Sequence, residues 1–546
     1  MANLLLFIAR PWGRRHTAPV RRRVVDVPTE AASTDAIFLV LRRLRVPMVV
    51  LVLIFAVSVA GLSLIPAQDA EGNPVPMSVF DAFYFMSYTA TTIGFGELPN
   101  TFTTTQRMWV TLSIYASVIG WAFAIGTLFA LTQDQSFREA VRIQQMRRKV
   151  RRIDEPFLIV AGYGQAGRQV CRSLDDARRR FVVIDDIRAR IEALATEQFT
   201  VDIPAIDADV RRPAVLGLAG LGHRHCEGVL ALTDDDETNL AVVMTVKLLR
   251  PEVPVIVRCS DRAAEEAMHD FGADAVINPN DRYGGYLLLA LQRPVTYQLV
   301  TWLISPAGTP LPEAREGLRG GRWVVCADGQ FGTEVADDLR SASLEVTVVD
   351  PHDGNPDVTG AVGLVAGTER DITNLALAEH ARLGNPSIYL CVRQKTNTNA
   401  ALVRALGIDS VYVATDLVAR ESLARVVTPV YWSFVDHVRG QDDAWSKALL
   451  EAIVERCGAD APERQLVRLT TAESPYVVRW LRSHELTLGD LLRHPDDRNR
   501  TLPAFPLLLL RDGRPVFAPS LDEPLHADDG IILLGDRAAF AALTDV

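Results

Sequence analysis

Two short stretches hold residue types whose spacing implies chemistry. The first is Thr91-Thr92-Ile93-Gly94-Phe95-Gly96-Glu97. Glycines at alternate positions tolerate backbone angles that an L side chain resists. Thr92, Ile93, Gly94 and Phe95 can therefore turn successive carbonyl oxygens toward a dehydrated alkali cation, with Gly96 closing the run and the Thr92 hydroxyl at its inner end. The competing reading is a glycine-rich turn in a soluble loop, and the apolar segments on both sides argue against it. The second stretch is Gly162-Tyr163-Gly164-Gln165-Ala166-Gly167, which fits G-x-G-x-x-G. Phe157–Ala161 before it reads as a buried strand, Val170 and Leu174 after it as a helix face, and Phe181–Ile184 as a second strand ending at Asp185. That order suits a dinucleotide: glycines let a helix N-terminus approach a pyrophosphate, and the acid accepts from ribose hydroxyls.

The elements that must position the first stretch are membrane spans. Val46–Gln68 and Met108–Gln133 contain no charged residue, and each exceeds the roughly 20 residues needed to cross a bilayer. The first span starts too far into the chain and is too long for a cleaved signal peptide, and Leu4–Ala9 is too short to span. Arginines crowd the outer flanks: Arg10, Arg14, Arg15, Arg21, Arg22, Arg23, Arg42, Arg43 and Arg45 before the first span, Arg138, Arg142, Arg147, Arg148, Lys149, Arg151 and Arg152 after the second. Between the spans stand Asp69, Glu71, Asp81 and Glu97, with no basic residue before Arg107. Both termini are thus expected in the cytoplasm, in a plasma-membrane protein of two spans. A short helix over 78–91, opened by Ser78 and Asp81, leads into the first stretch. Gly120 and Gly126 in the second span are either bend points or close helix contacts.

The remaining chain is acidic, since the 546 residues carry a net charge of −10 despite the basic first 150. That balance excludes nucleic acid as a partner. The six cysteines are scattered without a CxxC pair, which points to a reducing compartment and away from disulfides or structural zinc. An internal repeat organises this part. Val160–Gly167 recurs as Val325–Gly332 and Val182–Asp185 as Thr347–Asp350, both offset by 165. Thr233-Asp234-Asp235-Asp236-Glu237-Thr238-Asn239-Leu240-Ala241 recurs as Thr368–Ala376, offset by 135. Two homologous lobes follow, the second shorter by about thirty residues after Asp350, roughly one strand and one helix of a doubly wound sheet.

Thr92-Ile93-Gly94-Phe95-Gly96 resembles the potassium-channel filter Thr-Val-Gly-Tyr-Gly. With the glycine loop and the Thr233–Asn239 motif, residues 46–440 resemble a two-span potassium channel of the ligand-gated prokaryotic type with tandem RCK (TrkA-N-like) domains. The resemblance implies a homotetramer, with K+ held at Thr92, Ile93, Gly94 and Phe95 and a hinge at Gly120 or Gly126. It also implies an eight-lobe gating ring that responds to NAD or another adenine nucleotide such as ADP or ATP. Gly162, Tyr163, Gly164, Gln165, Ala166, Gly167, Arg168, Asp185, Asp186, Asp207, Thr233 and Arg258 are expected to line that cleft. The fold expected is an α-helical pore domain, two α/β Rossmann-like lobes and a small α+β domain. The segments are a basic cytoplasmic piece 1–45, a pore domain 46–133 (spans 46–68 and 108–133, pore helix 78–91, filter 92–96), a linker 134–155, lobes at 156–315 and 316–440, and the last domain at 441–546.

Several positions depart from the family. Phe95 stands for tyrosine, Phe85 and Met86 for tryptophans, and Glu97 for aspartate, which puts filter inactivation in doubt. In the second lobe Ala327 replaces the first glycine and Asp328 brings a carboxylate to the phosphate position, so that lobe is expected to be structural. Calcium-gated relatives place acids where Val257-Arg258-Cys259-Ser260 stands, so Ca2+ is not supported there, although Asp234–Glu237 could bind it or simply open a solvated helix. Arg258 suits phosphate better. Strands are expected at 462–469, 503–510 and 525–535, and a helix over 479–492. A membrane-anchored NAD-dependent oxidoreductase would need an acid/base partner beside the nicotinamide, which no His or Lys is placed by motif to serve. The nucleotide-binding part of a cation transporter would need many more spans.

Overall fold

The structure, a computed structural model, describes residues 27–28, 36–69, 72–96, 100–133, 135–313, 320–495 and 497–544. Most of the basic segment 1–45, the Leu4–Ala9 patch, Glu71, Glu97 and the expected lobe boundary at 315–316 lie outside them. The chain divides into two units, one over residues 28–152 and one that takes in residues 153–546.

In the first unit, helix α1 (Ala36–Leu64) contains an apolar stretch Leu44–Leu64, and α3 (Thr104–Gln133) contains another, Thr104–Ala130. The first span therefore ends four residues before the expected Gln68, because β1 (Ala67–Gln68) turns back to pair with β2 (Pro74–Val75). The second begins earlier and takes in Arg107. Gln106, fully buried, donates its amide to the Ile65 carbonyl at 2.8 Å, and Trp109 Nε1 donates to Ser58 O at 3.1 Å. These bonds tie the start of α3 to the end of α1. Gly61 lies under the Trp109 indole, where a Cβ would overlap the ring, so a small residue sets the helix approach. Between them α2 (Val79–Ala90) is capped by Ser78, whose hydroxyl accepts from Asp81 N at 3.1 Å and donates to the Asp81 carboxylate at 2.6 Å. Helix α4 (Gln135–Arg151) occupies the expected linker.

The second unit opens with a six-stranded parallel sheet. Its chain order is β3 (Phe157–Ala161), α5 (Gln165–Asp176), β4 (Arg180–Asp185), α6 (Arg188–Thr196), β5 (Ala205–Asp207), α7 (Pro213–Leu218), β6 (Cys226–Ala231), α8 (Asp236–Leu249), β7 (Val255–Arg258), α9 (Arg262–Asp270) and β8 (Ala275–Ile277). The spatial order β5-β4-β3-β6-β7-β8 reverses between β3 and β6, as in a doubly wound fold. Helices α10 (Pro279–Gln292) and α11 (Pro294–Ile304) follow.

The second lobe repeats this plan with β9 (Arg322–Cys326), α12 (Gly329–Ser341), β10 (Glu345–Val349), β11 (Ala361–Ala366), α13 (Asp371–Gly384), β12 (Tyr389–Gln394), α14 (Ala400–Ala405), β13 (Ser410–Val413), α15 (Ala414–Val427) and α16 (Pro429–Arg439). Its five strands run β10-β9-β11-β12-β13. The shortening removes the counterparts of α6, β5 and α7, one strand and two helices where one strand and one helix were expected. The repeat also reaches further than the sequence reading took it, since α15 and α16 match α10 and α11 at the same offset of 135.

The first helix of each pair is exchanged. Val418 and Ala419 of α15 lie in the core of the first lobe with Leu158, Val170 and Phe181, while Tyr283, Leu287 and Leu291 of α10 lie in the core of the second with Trp323 and Phe331. Behind them, α11, α16 and α17 (Asp443–Cys457) pack on the last domain through Trp302, Phe434 and Ile453 against Leu507 and Ile532. That domain is an antiparallel sheet, order β14-β17-β15-β16, of β14 (Glu463–Arg468), β15 (Ala504–Arg511), β16 (Arg514–Phe517) and β17 (Gly530–Gly535). The helix expected over 479–492 is instead two, α18 (Pro475–Leu481) and α19 (Leu488–Leu491). A new capping box at Thr487 and Asp490 restarts the chain there. Helix α20 (Arg537–Thr544) completes the fold.

Candidate functional site

The stretch after α2 has an unusual backbone. Thr92, Gly94 and Gly96 take φ of 64°, 66° and 74°, while Ile93 and Phe95 between them are not in the left-handed region. An ordinary strand alternates its peptide groups from side to side; alternating hand brings successive groups to one side. A Cβ at Gly94 or Gly96 would meet nothing within 4 Å, so conformation rather than space demands glycine there. The carbonyl of Tyr88 anchors the turn, accepting from Ile93 N at 2.9 Å and Gly94 N at 3.2 Å. Tyr88 is buried, its ring edge-on to Phe95 at 6.0 Å and to Phe85 at 5.3 Å. The support behind Phe95 is thus aromatic, a role for Tyr88 that its sequence position did not reveal. In α3, a Cβ on Gly120 would stand 3.0 Å from Ile54 Cδ1 and Leu51 Cδ2, whereas Gly126 faces open space. The helix is continuous through both.

The glycine loop sits at the C-terminal edge of the first sheet, beside the strand-order reversal. Gly162 has φ 101°, and a Cβ there would lie 2.8 Å from the Leu232 carbonyl carbon and Thr233 N. A Cβ on Gly167 would collide with the Gly162 carbonyl. Gly164 is different: its φ is −71°, and a Cβ would make only ordinary contacts with Asp234 Oδ2 at 3.7 Å and Arg190 Nη1 at 3.8 Å. It opens α5, which has no side-chain cap, whereas α8, α9 and α10 are capped by Asp235, Asp261 and Asn278. The first turn of α5 therefore keeps unfilled N–H groups beside exposed Gln165.

Several expected ligand residues are already engaged. The Asp185 carboxylate is buried, accepting from Tyr163 N at 2.6 Å and Ile187 N at 2.8 Å, with Arg190 Nη1 at 3.2 Å. Tyr163 turns its ring into the core with Ala166, and burial pushes its phenol pKa up; only its backbone borders the cleft. Arg168 pairs with Glu197 at 2.6 Å. Arg258 pairs with Asp234. Asp186 and Asp207 are exposed at the rim. Thr233 belongs to a clasp: Asn239 Oδ1 accepts from Thr233 N at 3.1 Å and lies 2.7 Å from its hydroxyl, while Nδ2 donates to Thr233 O at 3.0 Å and Arg258 O at 2.9 Å. Asn374 repeats this clasp on Thr368 and Arg393. The motif that marks the repeat is thus first of all a structural lock.

The acidic run resolves in the same way. Asp235 caps α8, Asp236 accepts from Ser260 N and Asp261 N, and Asp234 holds Arg258. Among the described residues no group of three or more His, Cys, Asp or Glu is placed to hold a metal ion. The second lobe packs its corresponding loop from the core side. Phe331, at the position of Ala166, stacks on Tyr412 with ring centres 5.0 Å apart, and Arg393 lies 5.0 Å over the Phe331 ring. A bulky residue inside the repeated glycine loop was the available signal, and the sequence reading did not use it.

Residues 48–134 match the family model described as an ion channel, and residues 158–279 match the TrkA-N domain. An uncharacterized protein of Methanothermus fervidus is 27% identical over 41% of this chain and 34% of its own. Potassium channel protein 1 of Methanocaldococcus jannaschii is 24% identical over 37% of this chain and 58% of its own. The chain thus spans between a third and three fifths of the length of these curated relatives. A solved structure titled GsuK channel bound to NAD is 14% identical, covers 94% of this chain and 100% of its own, and has a TM-score of 0.43. The chain joins a two-span ion-channel domain to a TrkA-N domain, as the resemblance implied.

Proposed function

We propose that this chain is one subunit of a homotetrameric, potassium-selective channel gated by an adenine nucleotide such as NAD, ADP or ATP. The nucleotide would bind at the first cytoplasmic lobe. The observation that carries the reading is the alternating backbone hand at Thr92, Gly94 and Gly96, in a segment matching the ion-channel model. It suits a ring of main-chain oxygens replacing the hydration shell of K+. One chain supplies a quarter of such a ring, so four copies assemble it in the cell membrane, with both termini in the cytoplasm. The uncapped N-terminus of α5 and the open flank of Gly164 suit a pyrophosphate. With Ala327 and Asp328 in its loop, the second lobe would be a structural part of an eight-lobe gating ring.

Purified protein in planar bilayers should pass K+ in strong preference to Na+, with open probability changed by adenine nucleotides on the cytoplasmic face. A chloride current, or none, sinks the reading. Changing Gly94 to Ala should silence conduction while tetramers persist on sizing; wild-type currents would remove Gly94 from the filter.

A further inference from the structure

One carboxylate reaches both the glycine loop of the first lobe and the arginine at the end of β7. Asp234, between β6 and α8, turns Oδ1 to the Arg258 guanidinium. Its Oδ2 lies 3.7 Å from where a Cβ on Gly164 would stand, and Arg190 Nη1, engaged with Asp185, is 3.8 Å from the same point. An anion supplied by the chain itself thus bridges the open flank of Gly164 and Arg258.

The two partners differ in what they lose on parting. The Arg258 side chain is 15% exposed and that of Asp234 71%. A desolvated guanidinium left without an anion is costly, whereas an exposed carboxylate returns to water at little cost. Only the Asp234 side chain has to move, because its neighbours are fixed: Thr233 is clasped by Asn239, and Asp235 caps α8. In the second lobe the matching pair is held harder. Glu369 pairs with Arg393 at 2.7 Å and also with Lys395 at 3.2 Å, and Arg393 lies over the Phe331 ring. Ser260 stands at the Lys395 position in the first lobe. Among the described residues, Asp234 therefore pairs with one cation where Glu369 pairs with two.

We propose, on the reading that the first-lobe cleft takes a nucleotide, that Asp234 is a built-in competitor for its phosphate. A nucleotide phosphate takes the place of Asp234 on Arg258, and the Asp234 side chain swings out to solvent. Arg258 keeps an anion throughout, with better geometry for a phosphate than for one carboxylate oxygen. The competition lowers affinity and so sets the nucleotide concentration at which the lobe responds.

The test titrates ADP into the full chain in nanodiscs by calorimetry. Asp234→Asn removes the charge, keeps the shape and changes an exposed position, so the fold is retained. It should bind ADP about tenfold more tightly than the wild type. Arg258→Gln should bind ADP more weakly, and in that background Asp234→Asn should gain much less, since the cation competed for is gone. Unchanged or weaker binding by Asp234→Asn, with the wild type binding, overturns the competitor and leaves the nucleotide reading in place. An equal gain in both backgrounds also overturns it, because Asp234 would then repel phosphate without exchanging at Arg258. Should Arg258→Gln fold poorly, Asp234→Asn alone decides. Binding by neither wild type nor Asp234→Asn removes the nucleotide reading, and the competitor with it.

Discussion

Three glycines share one loop, and their surroundings set them apart. Gly162 and Gly167 are demanded by the fold, the first by φ 101° and backbone contact at 2.8 Å, the second by collision with the Gly162 carbonyl. Gly164 has an ordinary φ and room for a methyl group, so on the proposed reading only the approach of a phosphate would require it to be glycine. Gly164→Ala should therefore change stability by less than about 0.5 kcal/mol and weaken adenine-nucleotide binding at least tenfold by calorimetry. Unchanged affinity in a normally folded variant would detach the loop from ligand binding. Asp185→Ala also weakens binding on this reading, but it is a poorer probe, because it frees the Tyr163 and Ile187 N–H groups and leaves Arg190 unpaired. The loop pattern and its distance to Asp185 were readable in sequence. That the carboxylate caps its own loop was not, because a ribose hydroxyl and a backbone N–H ask for the same acceptor.

At the level of elements, α9, α10 and α12 meet where the two lobes touch. Gln330 reaches Asp261 at 3.0 Å and Glu334 at 3.1 Å, and Arg262 pairs with Asp338 at 3.1 Å. Burial pushes the Glu334 carboxyl up to about 7 from 4.5, against the pull of Arg262 and the Gln330 amide, and raises Asp338 in the same direction. The folded chain thus keeps a proton that the unfolded chain releases. Stability falls as pH rises from about 4.5 to about 7, and the loss is complete above that window, at most roughly 3 kcal/mol for Glu334. Glu334→Gln should raise the urea midpoint at pH 8 and lose that advantage at pH 5. An equal effect at both pH values would show that the carboxyl does not titrate in this interface. Apolar patterning gave the strands Phe157–Ala161 and Phe181–Ile184, which are buried along their whole length, and the α5 face of Val170 and Leu174. It failed over 479–492, where Ser483-His484-Glu485 interrupts an apolar pattern that a helix and a loop satisfy equally well.

For the molecule as a whole, the exchange of helices makes the two lobes one folding problem. The repeat was visible as matching segments, but nothing in a sequence says which copy of a sheet a following helix covers. An apolar face on α15 fits either lobe. Val418 is fully buried in the first lobe's core although it is numbered in the second. Replacing it with Asp buries an unpaired charge against Leu158 and Val170, or expels α15 from that sheet, at a cost of about 3 kcal/mol or more. Hydrogen exchange on Val418→Asp should show protection lost in β3 and α5, some 250 residues upstream by number, while Val411→Asp, at an exposed position of β13, leaves both lobes protected. Loss confined to the second lobe would mean that each lobe closes on its own helices. Movement at one cleft would then have no packed route to the other, whereas an exchanged α15 couples the two sheets through side chains that neither can release alone.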